Sequence, residues 1–138
     1  PTLEKYIYEF SVDTQIETNL DIMGSEYKLE PAIEIAIFRI IQESLNNINK
    51  HSRATNARII IEFTRERVNL SIMDNGIGFN IQEVDKLHST TTGGFGLMNI
   101  RERVELLDGK LQIKTSPGTG TKLNIYIPII KEEQLHVK

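Results

Sequence analysis

The 138 residues suffice for one domain and leave no room for two of ordinary size, and 39% hydrophobic with 25% charged residues is the composition of a folding chain, not a disordered one. A formal charge of -3 excludes the basic face that general nucleic-acid binding needs, and the lack of cysteine excludes disulfides and thiolate metal sites. No apolar run approaches the roughly 20 residues of a membrane-spanning helix, and Pro1 to Lys5 has no basic-then-apolar signal pattern, so a soluble piece without membrane contact is expected.

Leu3, Tyr6, Ile7 and Phe10 recur at helical spacing and predict a short amphipathic helix. It begins at once, with Pro1 where an initiator methionine would stand, so the chain reads as a fragment of something longer. Ile16, Thr18, Leu20 and Ile22 then alternate with polar residues up to Met23-Gly24-Ser25, a strand ending in a turn. Pro31 suits a first helical turn, and Ala32 to His51, with no internal glycine or proline, predicts the longest helix. Ile59, Ile61 and Phe63 share one face of a strand, and Val68, Leu70 and Ile72 do the same after Arg65-Glu66-Arg67, which makes a hairpin. Asn75 to Thr92 is too polar for a core element and is expected to be a surface loop. Leu97, Ile100, Val104 and Leu107 mark another helix with Gly109 as its C-terminal cap. Two strands follow, Leu111 and Ile113 in one and Leu123, Ile125 and Ile127 in the other, joined by a turn at Ser116 to Gly120. Hairpin-linked strands with segregated helices predict an α+β two-layer sandwich with a mixed, mostly antiparallel sheet and helices on one face.

On the long helix Glu43, Asn47 and Lys50 stand at i, i+4 and i+7, one polar stripe at about 100° per residue. Phe38, Ile41, Leu45 and Ile48 lie on nearly the opposite side. Carboxylate and amide oxygens suit a hard cation such as Mg²⁺, and an ammonium suits phosphate; a plain solvated helix face fits the same stripe. Asp74-Asn75-Gly76-Ile77-Gly78-Phe79 reads as a turn or as a close approach of ligand to backbone. Parity distinguishes these, because Asp74 shares the face of Val68, Leu70 and Ile72 and so carries a carboxylate toward the apolar layer, where it needs a donor. An adenine amino group is such a donor. Thr121 has the inward parity of Leu123, Ile125 and Ile127, as a ligand contact or as a satisfied core hydroxyl. Gly93-Gly94-Phe95-Gly96 opens the Leu97 helix, where backbone N-H groups and the helix dipole favour phosphate, although neither a Walker loop nor a dinucleotide fingerprint is present.

Taken together, Gln42 to His51, Asp74 to Phe79, Gly94 to Leu97 and Ser116 to Thr121 resemble the N box, the two glycine boxes and the last box of the ATPase superfamily of gyrase, Hsp90 chaperones, histidine kinases and MutL, the GHKL or Bergerat fold. Gly96 to Val104 followed by Leu107-Asp108-Gly109, with a short lid between Phe79 and Gly93, is similar to the histidine kinases that pair with helix-turn-helix response regulators. The resemblance implies ATP and Mg²⁺ as cofactors. It implies Asn47 and Glu43 at the metal, with Glu43 standing where hydrolysing members carry the general base, Lys50 at phosphate, and His51 near the nucleotide. It also implies Asp74 at the adenine amino group, Thr121 at adenine, and Gly76, Gly78, Gly94, Gly96 and Leu97 shaping cavity and lid.

Residues 1–12 are then the end of an upstream linker or dimerisation region, 13–131 the catalytic ATP-binding domain, and 132–138 a solvated tail. The resemblance further implies a histidine on a separate dimerisation domain, since His51, His88 and His136 fall in the N box, lid and tail. Relay to a cytoplasmic response regulator follows, from a cytoplasmic domain whose parent is membrane-anchored or cytoplasmic, with this fragment alone monomeric. A serine kinase of the anti-sigma type, an ATP-driven conformational ATPase and a nucleotide-binding module that transfers nothing are the alternatives.

Overall fold

The computed structural model describes residues 2–79 and 97–129. Helix α1 (Thr2–Thr14) turns Ile7 and Phe10 into the core, and its exit is made by Thr14, whose hydroxyl donates to the Phe10 carbonyl at 2.6 Å, and by Gln15 in the left-handed region at φ 61°. Strand β1 (Glu17–Gly24) follows, and helix α2 (Pro31–Asn47) then buries Ile37, Ile40, Ile41, Ser44 and Leu45. Hairpin β2 (Asn56–Phe63) and β3 (Arg67–Asp74) comes next, with α3 (Leu97–Leu106), β4 (Lys110–Thr115) and β5 (Thr121–Pro128) completing the described elements.

The strands form one sheet in the order β1-β2-β3-β5-β4, with β1 parallel to β2 and every other neighbour antiparallel. A parallel pair needs a crossover, and α2 is that crossover. Strict alternation buries Ala57, Ile59, Ile61 and Phe63 on β2, Val68, Leu70 and Ile72 on β3, and Leu123, Ile125 and Ile127 on β5. Only one face of the sheet is therefore apolar, and the helices cover it, which is the two-layer α+β sandwich expected from the pattern. Tyr27 locks the hairpin from outside, donating to the Thr64 carbonyl at 2.7 Å with its ring edge-on to Phe63 at 5.2 Å. Among the described residues no helix is long and apolar enough to cross a membrane.

Two local expectations change. The helix predicted over Ala32 to His51 is α-helical only to Asn47; Ile48–Ser52 is a wider π-helical turn, ended by Arg53 in the left-handed region at φ 55°. The cap of α3 sits one residue early. Asp108 carries the positive φ of 58°, its N-H bonding the Glu105 carbonyl at 3.0 Å while the Gly109 N-H bonds that of Val104 at 2.9 Å, the paired bonds of a Schellman motif. Gly109 is glycine for another reason, because a Cβ there would fall onto the Tyr126 carbonyl oxygen of β5.

Candidate functional site

A cleft opens where α2 and its π turn lie over the adjoining ends of β3 and β5. Its apolar lining comes from Ile48, Ile72, Phe79, Leu97 and Leu123. Its polar lining comes from Asn47 and His51 on one side and Asp74 and Thr121 on the other, with Ser44 and Ser52 beneath the helix. Apolar walls with a few converging polar groups are the usual build of a small-molecule site.

The strand side is knitted together. Asp74 is the last residue of β3 and stands in register with Thr121, the first of β5. One carboxylate oxygen accepts the Gly76 N-H at 2.8 Å. Burial pushes the Asp74 carboxyl up from its ordinary 3.8, and the backbone N-H groups of Gly76 and Thr121 oppose that shift. Gly76 packs against the end of the π turn so closely that a Cβ would fall onto the Ser52 carbonyl, while the next residue, Ile77, donates to that carbonyl at 2.7 Å. Gly78, at φ 67°, meets the Ser116 carbonyl in the same way, and the Gly118 N-H bonds the Ile77 carbonyl. The segment after β3 is thus held between the π turn and the β4–β5 turn, and glycine is what permits the approach.

Asn75 is a fastener. Its Oδ1 accepts the N-H groups of Thr55 and Asn56, both at 2.9 Å, and its Nδ2 donates to the Thr55 hydroxyl at 2.9 Å. The Asn-Gly pair therefore ties the β3 exit to the β2 entrance. Thr121 points inward, as its parity requires, with its hydroxyl 2.9 Å from that of Thr115. Thr115 Oγ1 also accepts the Phe79 N-H at 3.1 Å and donates to the Gly120 carbonyl at 3.2 Å. A hydroxyl has one proton, so with that proton on Gly120 the Thr121 hydroxyl donates to Thr115 and keeps its lone pairs for a ligand.

The helix side is left open. Asn47 lines the cleft, yet its Nδ2 is buried without a hydrogen-bond partner among the described residues. Such an orphan costs about 1–3 kcal/mol, a deficit that a bound ligand removes. Glu43, one turn earlier, does not line the cleft; it faces an adjoining polar groove. Lys50 is exposed and also lies outside the lining, because the π turn breaks the register by which an unbroken α-helix would carry it onto the Glu43–Asn47 stripe. His51 takes a place in the lining instead. Its pKa is lowered from 6.5 by desolvation and then by the charge of Lys50.

Leu97, first residue of α3, is buried and lines the cleft, whereas Gly94, Gly96, the loop from 80 to 92 and the histidines at 88 and 136 lie outside the described residues. Sequence reasoning missed Ser44, Ser52, Asn75 and Thr115. The two serines had a signal, since they continue the buried stripe of Ile37, Ile40, Ile41, Leu45 and Ile48 at helical spacing, and each returns its hydroxyl to the carbonyl four residues back at 2.7 Å. Asn75 and Thr115 had none, since their roles depend on partners distant in the chain. Among the described residues no group of three or more His, Cys, Asp or Glu could hold a metal by itself. Magnesium on a phosphate ligand needs only one or two protein oxygens, and Glu43 with Asn47 offers that many.

A family described as Histidine kinase-, DNA gyrase B-, and HSP90-like ATPase matches residues 32–131. The signal transduction histidine-protein kinase/phosphatase DegS of Brevibacillus brevis is 38% identical over 133 residues, covering 96% of this chain and 33% of DegS. The sensor histidine kinase ComP of Bacillus subtilis is 42% identical over 96 residues, 70% of this chain and 12% of ComP. Among solved structures, the Acinetobacter baumannii histidine kinase AdeS superimposes with a TM-score of 0.73 at 18% identity, over 94% of this chain and 62% of that one. The histidine kinase domain of the Erythrobacter litoralis EL346 blue-light activated kinase does so at 0.68 and 19%, over 92% and 63%. At these identities the structures show a shared fold. The chain spans a third or less of the length of these two curated relatives.

Proposed function

The chain belongs to the histidine kinase-, DNA gyrase B- and HSP90-like ATPases, and on that premise we propose that it is the ATP-binding catalytic domain of a two-component sensor histidine kinase. The observation that carries this reading is Asp74, a half-buried carboxylate at the apolar end of the cleft, steadied by the backbone N-H groups of Gly76 and Thr121. Burial pushes its pKa up and the two amide donors oppose that push. A purine with an exocyclic amino group matches that acceptor and fills the space between Ile72, Phe79, Leu97 and Leu123. Thr121 supplies a second polar contact at the ring.

The open helix side suits the triphosphate end. Asn47 and Glu43, four residues apart on α2, present oxygens for Mg²⁺, and Lys50 and His51 lie one turn further on. Lys50 reaches phosphate from its exposed position on a flexible stem, and His51 sits at the cleft itself. Bound ATP supplies the phosphoryl group; the protein's part is positioning and neutralising charge, which is most of the catalysis in phosphoryl transfer. Gly94 and Gly96 are assigned to the lid over the phosphates.

The acceptor in this reading is a histidine on a dimerisation domain of a longer cytoplasmic or membrane-anchored protein, which passes the phosphoryl group to a response regulator with helix-turn-helix output. Residues 1–12 lead from that domain, and this chain alone is monomeric. Calorimetry with ADP tests the pocket: Asp74→Asn should weaken binding about tenfold or more, and unchanged affinity removes the assignment. Acid treatment of the phosphorylated full-length protein tests the acceptor. Phosphohistidine is lost in acid, whereas an acid-stable label would point to a serine kinase.

A further inference from the structure

Two side-chain atoms among the described residues are buried without a hydrogen-bond partner, Nδ2 of Asn47 and Nε of Arg103. They lie on one seam, where α3 packs against α2. Asn47 faces the cleft, where in the kinase reading a phosphate oxygen accepts from its Nδ2 and its Oδ1 is left for the metal. Arg103 does not line the cleft. It faces the adjoining groove, which it shares with Tyr6 of α1 and with Arg39, Gln42, Glu43 and Asn46 of α2. There Arg39 donates to Gln42 Oε1 at 3.0 Å. Neither Arg103 nor Glu43 makes a hydrogen bond or ion pair among the described residues, although both stand in the same groove.

We propose that this groove receives an acidic side chain from the segment that presents the phosphoryl acceptor, and that Arg103 is the positioning residue that grips its carboxylate. The proposal rests on the kinase reading above. A guanidinium is a planar fork of donors matched to carboxylate or phosphate, and leaving its Nε desolvated and unpaired is unfavourable until such an anion arrives. Arg103 is absent from the cleft that holds Asp74 and Thr121, and nucleotide phosphate is told apart from a carboxylate by the affinity for the ATP analogue. A carboxylate on the segment that presents the acceptor supplies that chemistry. Two guanidinium groups against the one carboxylate of Glu43 leave the groove cationic in a chain whose net charge is -3. Position completes the argument. Glu43 and Asn47 are one helical turn apart on α2, so a segment seated against Arg103 lies next to the mouth from which the phosphoryl group leaves.

The test uses the full-length protein, labelled ATP, calorimetry with a non-hydrolysable ATP analogue, and thermal melting. Arg103→Ala should slow phosphoryl transfer about tenfold or more, with analogue affinity unchanged and melting temperature unchanged or raised. Arg103→Lys, which keeps the charge and loses the fork, should recover part of the rate. Raising salt should slow the wild type and leave Arg103→Ala nearly flat, since only the former has an ion pair to screen. A matching fall in analogue affinity or melting temperature would make Arg103 a nucleotide contact or a structural group and overturn the proposal. A loss that disappears in a Glu43→Gln background would name Glu43 as its partner and overturn it equally. If the wild type transfers no phosphoryl group, the kinase reading fails and takes the groove with it. Transfer by the wild type with an undiminished Arg103→Ala rate sinks the groove alone.

Discussion

The strand wall of the cleft and its helix wall satisfy their polar groups in opposite ways. On the strand wall Asp74, Asn75, Thr115 and Thr121 all have protein partners, and the glycines between them bring three backbone segments into contact. On the helix wall Ser44 and Ser52 are bonded within the helix, but Asn47 holds a buried nitrogen with no partner among the described residues, as Arg103 does in the groove alongside, where Glu43 is unpaired too. The difference teaches what each wall is prepared for. In the proposed reading a base with fixed donors meets acceptors already locked in place, whereas phosphate, metal and an incoming segment bring their own charge. In that reading the groups left uncommitted among the described residues are Nδ2 of Asn47, Glu43 and Arg103.

Substitutions should therefore separate the walls, and the largest effect is expected on the strand side. Gly120 has φ 81° and would place a Cβ on the Asp74 carbonyl, so Gly120→Ala should destabilise by roughly 2–4 kcal/mol in urea unfolding. A change below about 0.5 kcal/mol would mean that the strand wall yields more readily than its contacts imply. Asn75→Ala deletes three side-chain hydrogen bonds in an exposed setting, and about 1–2 kcal/mol of stability should go with them, with little direct loss of ADP affinity.

A smaller effect is one of pH. The Asp74 carboxyl is raised above 3.8 by burial, so what it contributes to stability is fully present below its unfolded pKa and is lost as pH rises through the folded value. The stability of wild type minus that of Asp74→Asn should accordingly fall as pH climbs upward from 3.8, a trend that urea titrations across acid pH will read. A rising difference would mean that the two amide donors outweigh desolvation. Least of all should change on the helix wall. Asn47→Ala removes an orphaned group and should leave apo stability within about 0.5 kcal/mol of wild type, while the Mg²⁺-dependent part of ADP binding disappears. A large loss of apo stability would show that Asn47 is already satisfied, and the contrast between the walls would dissolve.

Much of this was legible from the chain because it depends on local periodicity. Alternation placed Asp74 and Thr121 on the core face, and both line the cleft. Helical spacing found α1, α2 and α3, and the hairpin signal found β2 and β3. The same periodicity counted Lys50 along an unbroken helix, and a straight count along α2 has no way to foresee that the chain widens into a π turn at Ile48. It also assigned the cap of α3 to Gly109, when the left-handed residue is Asp108 and the glycine answers a strand it merely touches.

The sequence by itself determined which faces are apolar, where the turns fall and which carboxylate must point inward, because period and residue type act over a few neighbours. Only the tertiary structure decided that β5 inserts between β3 and β4, that Asn75 fastens β3 to β2, and that Glu43 and Arg103 share a groove beside the cleft. Those facts join residues twenty to sixty positions apart. No local rule reaches so far; packing of the helix layer on the sheet brings them together.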